Sequence, residues 1–249
     1  AVMTSILDVT NVSKSYGGVA ANTDISLSVK KGAITGLIGP NGSGKTTLFN
    51  SIVGYHPIDS GSICFEGLEI SKMPVQKIAR LGLLRTFQQT RIYGQMNGID
   101  NMLISLPHRK MRFVDAFNRN GSEEHERAES LLEFVGLYEK RFLRAGSLSF
   151  GQQKLLEFAM ALMNEPTGLL LDEPTAGINP TLINGLIDRL RRANEEFGIT
   201  LFIIEHNMRV IMNMAEHIYC LAHGQLLAEG TPSEIQNDQR VIDAYLGAH

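Results

Sequence analysis

Two adjacent carboxylates, Asp172 and Glu173, end the apolar run in LLLDEPT, residues 169 to 175. The leucines followed by Pro174 and Thr175 read as a short buried strand that runs into a loop, with the acids at its C-terminal edge. A buried carboxylate without a partner is strongly disfavoured, and none of the seven residues is basic, so the compensating cation has to come from elsewhere in the chain or from solution.

A second constellation offers one. Gly39-Pro40-Asn41-Gly42-Ser43-Gly44-Lys45-Thr46 fits G-x-x-x-x-G-K-[ST], and Thr47 continues the run. Before it lies the apolar AITGLI at 33 to 38, and after it Leu48, Phe49, Ile52 and Val53 form a helical stripe ending at Gly54. In a strand, loop, helix unit this pattern cradles phosphates: the glycines let backbone N–H groups turn inward, the helix N-terminus adds partial positive charge, and Lys45 reaches the outer phosphates. Thr46 is suited to hold Mg²⁺ through its hydroxyl, and a Mg²⁺ bridging the bound phosphates would be the cation that Asp172 lacks. Glu173, one residue beyond, is then free to accept a hydrogen bond from a water aligned on the terminal phosphorus, a positioning or general-base role.

The elements that position these groups alternate in type. Leu7 and Val9, then Ile25, Leu27 and Val29, alternate with polar residues up to the Lys31-Gly32 turn and predict an antiparallel ribbon. From about 88 to 150 helical spacing takes over, with Ser122 as N-cap, Ala128, Leu131, Leu132 and Val135 on one face, and Gly136 as terminator. Leu155, Phe158, Ala159 and Leu162 mark another helix. LLLDE, the stripe Ile183/Leu186/Ile187/Leu190, ITLFII, a helix from Asn207, HIYCLA and a final helix near 233 to 246 follow in turn. That order predicts an α/β fold with a mostly parallel sheet and crossover helices.

Composition narrows the class. The 249 residues are 43% hydrophobic with a formal net charge of -3, an ordinary globular balance with no electrostatic footprint for nucleic acid. Arg109, Lys110 and Arg112 read as a solvated turn. Cys64 and Cys220 lack metal-ligand spacing and read as core residues of a chain in a reducing compartment. No run reaches the roughly 18 to 20 apolar residues of a membrane span, so the expectation is a soluble cytoplasmic protein.

With these residues in hand, the chain resembles over nearly its whole length the nucleotide-binding subunits of ABC transporters. The resemblance rests on an ordered set: Tyr16 in KSYGG, GPNGSGKTT, Gln88 in RTFQ, LSFGQQK at 148 to 154, LLLDEPTAG, and His206 in IIEH. It implies a P-loop NTPase (RecA-like) core over 1–88 and 153–249 with the N-terminal antiparallel β subdomain, and an inserted α-helical subdomain over 89–152 that carries the signature. It implies ATP and Mg²⁺ as ligands, with Tyr16 stacking on adenine, Gln88 touching Mg²⁺ and the attacking water, Glu173 polarising that water, and His206 on the terminal phosphate. Leu148, Ser149, Phe150, Gly151 and Gln152 would act on the ATP of a second ATP-binding subunit, a copy or a relative, in a head-to-tail dimer. Ala176, Gly177, Ile178 and Asn179 would form the loop that couples the two sites.

Two departures stand out. Phe150 occupies the place of the usual signature glycine, and Asn179 that of a common aspartate. The aromatic signature, AGINP, EHNM and the Tyr245 to Gly247 ending are similar to the longer ATPase subunit of branched-chain amino-acid importers. That likeness implies a cytoplasmic-face location on transmembrane permease subunits, with an extracytoplasmic solute-binding protein in the full system and no nucleic acid. The other classes considered are a soluble ABC-type ATPase without membrane partners and a P-loop phosphotransferase. The second would use Arg189, Arg191 and Arg192 as a lid, although these read as a solvent-facing charged stripe.

Overall fold

The computed structural model describes residues 4–86, 92–106 and 120–246. The alternating N-terminal segments form the expected ribbon, β1 (Ser5–Tyr16) antiparallel to β2 (Val19–Lys30), with Gly17 and Gly18 in the turn. The chain then runs β3 (Ile34–Ile38), α1 (Lys45–Ile52), β4 (Ser60–Phe65), β5 (Leu68–Glu69), α2 (Val75–Arg80), β6 (Leu83–Thr86), α3 (Gly98–Ile104) and α4 (Asn120–Phe134). It continues with α5 (Phe150–Leu162), β7 (Gly168–Asp172), α6 (Pro180–Phe197), β8 (Thr200–Ile204), α7 (Met208–Met214), β9 (His217–Ala222), β10 (Gln225–Gly230), α8 (Pro232–Asn237) and α9 (Gln239–Leu246).

Two sheets result, one ordered β2-β1-β4-β5 and one ordered β10-β9-β3-β8-β7-β6. The first is antiparallel throughout. In the second, β9, β3, β8 and β7 are mutually parallel, while β10 runs antiparallel on the edge. β3, β7 and β8 are buried at every residue, which is why their sequences are continuously apolar rather than alternating. The pairing register sets Leu37 opposite Ile204, and Ile204 opposite Asp172. The phosphate loop after β3, the acids ending β7 and the histidine after β8 therefore leave the sheet at one edge, the carboxyl edge where open α/β sheets bind ligands.

One core joins the ribbon to this sheet. Val12, Ile25 and Ile63 of the ribbon sheet are fully buried with Leu48, Phe49, Leu37 and Ile204, and the Phe49 and Phe202 rings lie 4.9 Å apart. Removing this apolar area from water is the main force that fixes α1 behind the phosphate loop.

The chain divides into two compact units, residues 1–85, 167–174 and 190–249, and residues 86–166 and 175–189. The second takes in all of α5 and the first half of α6, a wider span than the 89–152 segment read from the sequence. In it the expected face of α4 is buried at Ala128, Leu131 and Leu132, and Val135 follows. α4 starts at Asn120, so Ser122 lies inside the helix and not at its N-cap.

Other details differ from expectation. On α5, Leu156 is fully buried and Leu155 only half-buried. Cys220 is a core residue, whereas Cys64 is half-buried, because it lies on the partly exposed face of β4. The single C-terminal helix is two, broken at Asp238, whose carboxylate accepts the Arg240 N–H (2.9 Å) and so starts a new helix. Arg189 does not face solvent: its guanidinium donates to the Val135 (2.8 Å) and Gly185 (2.7 Å) carbonyls and closes the end of α4. Arg191 and Arg192 do lie on the outer face and bond to the Asn213 carbonyl and Glu196.

Candidate nucleotide site

Gly39 opens the phosphate loop at a φ of 150°, and a Cβ there would sit 2.2 Å from the Leu221 carbonyl oxygen and 2.6 Å from Ser43 Oγ. Only glycine fits. Gly44 forms the N-cap of α1 in the left-handed region without a side-chain acceptor, so the first N–H groups of the helix remain for a ligand. Lys45 is buried, and its Nζ donates to the carbonyls of Gly39 (2.7 Å) and Pro40 (3.0 Å) and to Ser43 Oγ (3.4 Å). Burial lowers the pKa of this ammonium, and Glu173, Asp172 and Cys220 oppose that effect.

Asn41 through Thr47, with Ala21, Glu173 and His206, line a cleft of about 210 Å³. Gly39 and Pro40 do not line it. Ala21 is an addition that its bland neighbourhood in the sequence gave no reason to single out. Glu173 adopts a φ of 50°, a rare conformation for a non-glycine residue, and its N–H donates to the Ile204 carbonyl (2.9 Å). This kink at the end of β7 turns its side chain toward His206, where Oε1 lies 2.7 Å from Nε2. Both side chains are a little over a third exposed, so the pair is anchored yet reachable from the cleft.

Asp172 points the other way. Its side chain is 5% exposed, and Oδ2 accepts from the guanidinium of Arg85, which is fully buried and also bonds to Asn50 of α1. Arg85, a lone arginine in the apolar GLLRTF, is thus the cation from elsewhere in the chain that Asp172 requires. The donor chemistry still suits a divalent ion: Thr46 opens onto the cleft, and Asp172 ends β7 one residue before Glu173 of its lining.

Tyr16 does not line the cleft; it is 43% exposed, edge-on to His56 at 5.6 Å, with Lys14 Nζ 5.2 Å from its ring centroid. Gln88 lies outside the described residues, as do Arg109, Lys110, Arg112 and Gly247.

In the second unit the signature is built on a capping box. Ser149 Oγ accepts the Gln152 N–H (3.3 Å), and Gln152 Oε1 accepts the Ser149 N–H (3.1 Å). Phe150 is 55% exposed and packs on Gly177, where a Cβ would approach its ring to 2.9 Å. Gly151 faces Leu182 and Ile178, and Leu148 and Ile178 are buried. Ala176 and Asn179 are exposed; Asn179 Oδ1 accepts from the Thr181 N–H (3.1 Å) and hydroxyl (3.0 Å), so it helps to start α6.

Known proteins are similar to this chain over nearly its whole length. Residues 22–176 match the family model of the ABC transporter, and residues 225–249 that of the branched-chain amino acid ATP-binding cassette transporter. The chain is 38% identical to the high-affinity branched-chain amino acid transport ATP-binding protein BraF of Pseudomonas aeruginosa, over 97% of this chain and 98% of that one. It is 36% identical, with the same coverage, to LivG of Escherichia coli (strain K12), which bears the same description. A solved structure of an ATP-binding cassette of an ABC transporter in its ADP conformation superposes with a TM-score of 0.88 at 34% identity, covering 98% of this chain and 99% of that one.

Proposed function

The chain belongs to the ABC transporter family as an ATP-binding cassette ATPase, and on that premise we propose that it powers an importer of branched-chain or other amino acids. The observation that carries the mechanism is the Glu173–His206 pair at the mouth of the phosphate loop. The loop and Lys45 hold the phosphates; Glu173 orients and deprotonates the attacking water; His206 fixes the Glu173 carboxylate and bonds to the terminal phosphate. Thr46 and Asp172 would hold Mg²⁺, with Gln88 as a further ligand, and the ion would offset charge on the terminal phosphates; Tyr16 would stack on the adenine.

The Ser149-capped N-terminus of α5 is the second half of the site. It acts on ATP held by another ATP-binding subunit, so that nucleotide closes a head-to-tail pair and hydrolysis reopens it. The segment 89–152 serves as the helical subdomain that passes this motion to permease subunits at the cytoplasmic face of the membrane. Among the described residues no helix is long and apolar enough to cross a membrane, and the proposed membrane passage belongs to those subunits. The similarity of the amino-acid transport ATPases over nearly the whole chain supports the solute class, and an extracytoplasmic solute-binding protein would deliver it.

Reconstitution with the permease subunits into proteoliposomes, with ATP inside and solute-binding protein outside, tests this reading. ATP-dependent uptake of labelled leucine, abolished by Lys45→Ala, is the expected result. Turnover of ATP without uptake of any branched-chain or other amino acid would overturn the assignment.

A further inference from the structure

Outside the motifs above, one side chain reaches the phosphate loop from the far end of the chain. Tyr245, in the last turn of α9, accepts a hydrogen bond from the Gly39 N–H through its hydroxyl at 2.8 Å. Gly39 is buried and cannot be replaced by a bulkier residue, so its peptide has little room to find another partner. Its carbonyl is taken by Lys45. Burial pushes the Tyr245 phenol up to about 12, so the hydroxyl stays neutral across physiological pH.

The helix that delivers this hydroxyl is thinly attached. α9 has one buried residue, Val241, while Ile242 is 37% and Leu246 70% exposed. An eight-residue helix has no stability of its own in water, so its docking depends on a few contacts, among them the bond to Gly39. The two bonds grip the two peptide units that flank the Gly39 Cα, Tyr245 the N–H on the Ile38 side and Lys45 the carbonyl on the Pro40 side, so Tyr245 holds the entry to the loop independently of Lys45.

We propose that Tyr245 is a positioning residue for the phosphate loop and that, through Gly39, docking of the C-terminal helix and binding of ATP are thermodynamically coupled. The coupling is reciprocal: a docked helix tightens ATP binding, and bound ATP strengthens helix docking to the same degree. This inference rests on the phosphate loop being the ATP site.

Tyr245→Phe keeps the ring and removes the oxygen. Titration of a fluorescent ATP analogue with Mg²⁺ should show a Kd raised by about five- to tenfold, where tenfold is 1.4 kcal/mol. Turnover at saturating ATP should change less than about twofold, a split that general destabilisation would not produce. Hydrogen exchange of residues 239–246 should slow on adding nucleotide to the wild type and respond weakly in the variant. Val241→Ala, which loosens the helix while keeping the hydroxyl, should also weaken binding. An unchanged Kd in folded Tyr245→Phe, or exchange in α9 indifferent to nucleotide, overturns the coupling. A wild type that does not bind the analogue overturns the ATP site itself, and the coupling with it.

Discussion

Arg85 of β6 and Asp172 of β7 form an ion pair with no exposed surface on the arginine side chain and 5% on the aspartate. The guanidinium also bonds to Asn50 of α1 and lies 5.8 Å from the Phe49 ring centroid, so it ties the helix behind the phosphate loop to the strand that leads into Glu173. Breaking a buried pair strands the remaining charge. Arg85→Met should therefore cost about 3–5 kcal/mol of stability, and the double variant Arg85→Met/Asp172→Leu should recover part of it. Urea denaturation of the single and double variants measures both.

Glu173 and His206 are expected to act as one unit on the bound phosphate. Glu173→Gln keeps the shape of the side chain but cannot take a proton, and should lower ATP turnover by about 10²–10⁴-fold with nucleotide binding retained. His206→Ala should fall in the same range, and the double variant should lose little more. Steady-state turnover and equilibrium binding on the three variants separate the effects.

Phe150 fills the space over Gly177, which has a φ of 72°. Gly177→Ala should cost about 1–3 kcal/mol from backbone strain and from the ring it meets. Phe150→Gly in the same chain should relieve the steric share but not the backbone share. Thermal melts of the single and double variants read the difference.

Glu157 on α5 carries a carboxyl raised by burial to about 7 from an ordinary 4.5, with Lys154 partly offsetting the shift. Between these values the folded state holds a proton that the unfolded state has released, so stability should fall as pH rises through that window. Glu157→Gln should remove the dependence and be more stable than wild type by about 1–2 kcal/mol at pH 8, after allowance for partial solvent screening. Below pH 4.5 the two proteins should be equal. Denaturation across pH checks the sign.

Much of the site was legible because its residues are contiguous or end apolar strands. The phosphate loop carries its own pattern, and the position of Glu173 and His206 at one edge follows from parallel strands that alternate with helices. Arg85 was not legible as a partner because a side chain that crosses between strands leaves no spacing in the sequence. Tyr245 is hidden for the same reason, more than two hundred positions from the Gly39 N–H that donates to its hydroxyl. The inward turn of Arg189 depends on where α4 ends, and the break at Asp238 on a single side-chain cap, neither of which periodicity records.

The most direct test of the ATP-driven pairing is the solution mass of Glu173→Gln by light scattering with Mg²⁺, before and after ATP is added. The composite site predicts a shift from the 27.5 kDa chain to twice that mass with ATP, reversed when Ser149→Arg is added. A variant that binds ATP and stays at the single-chain mass at high protein concentration would contradict it.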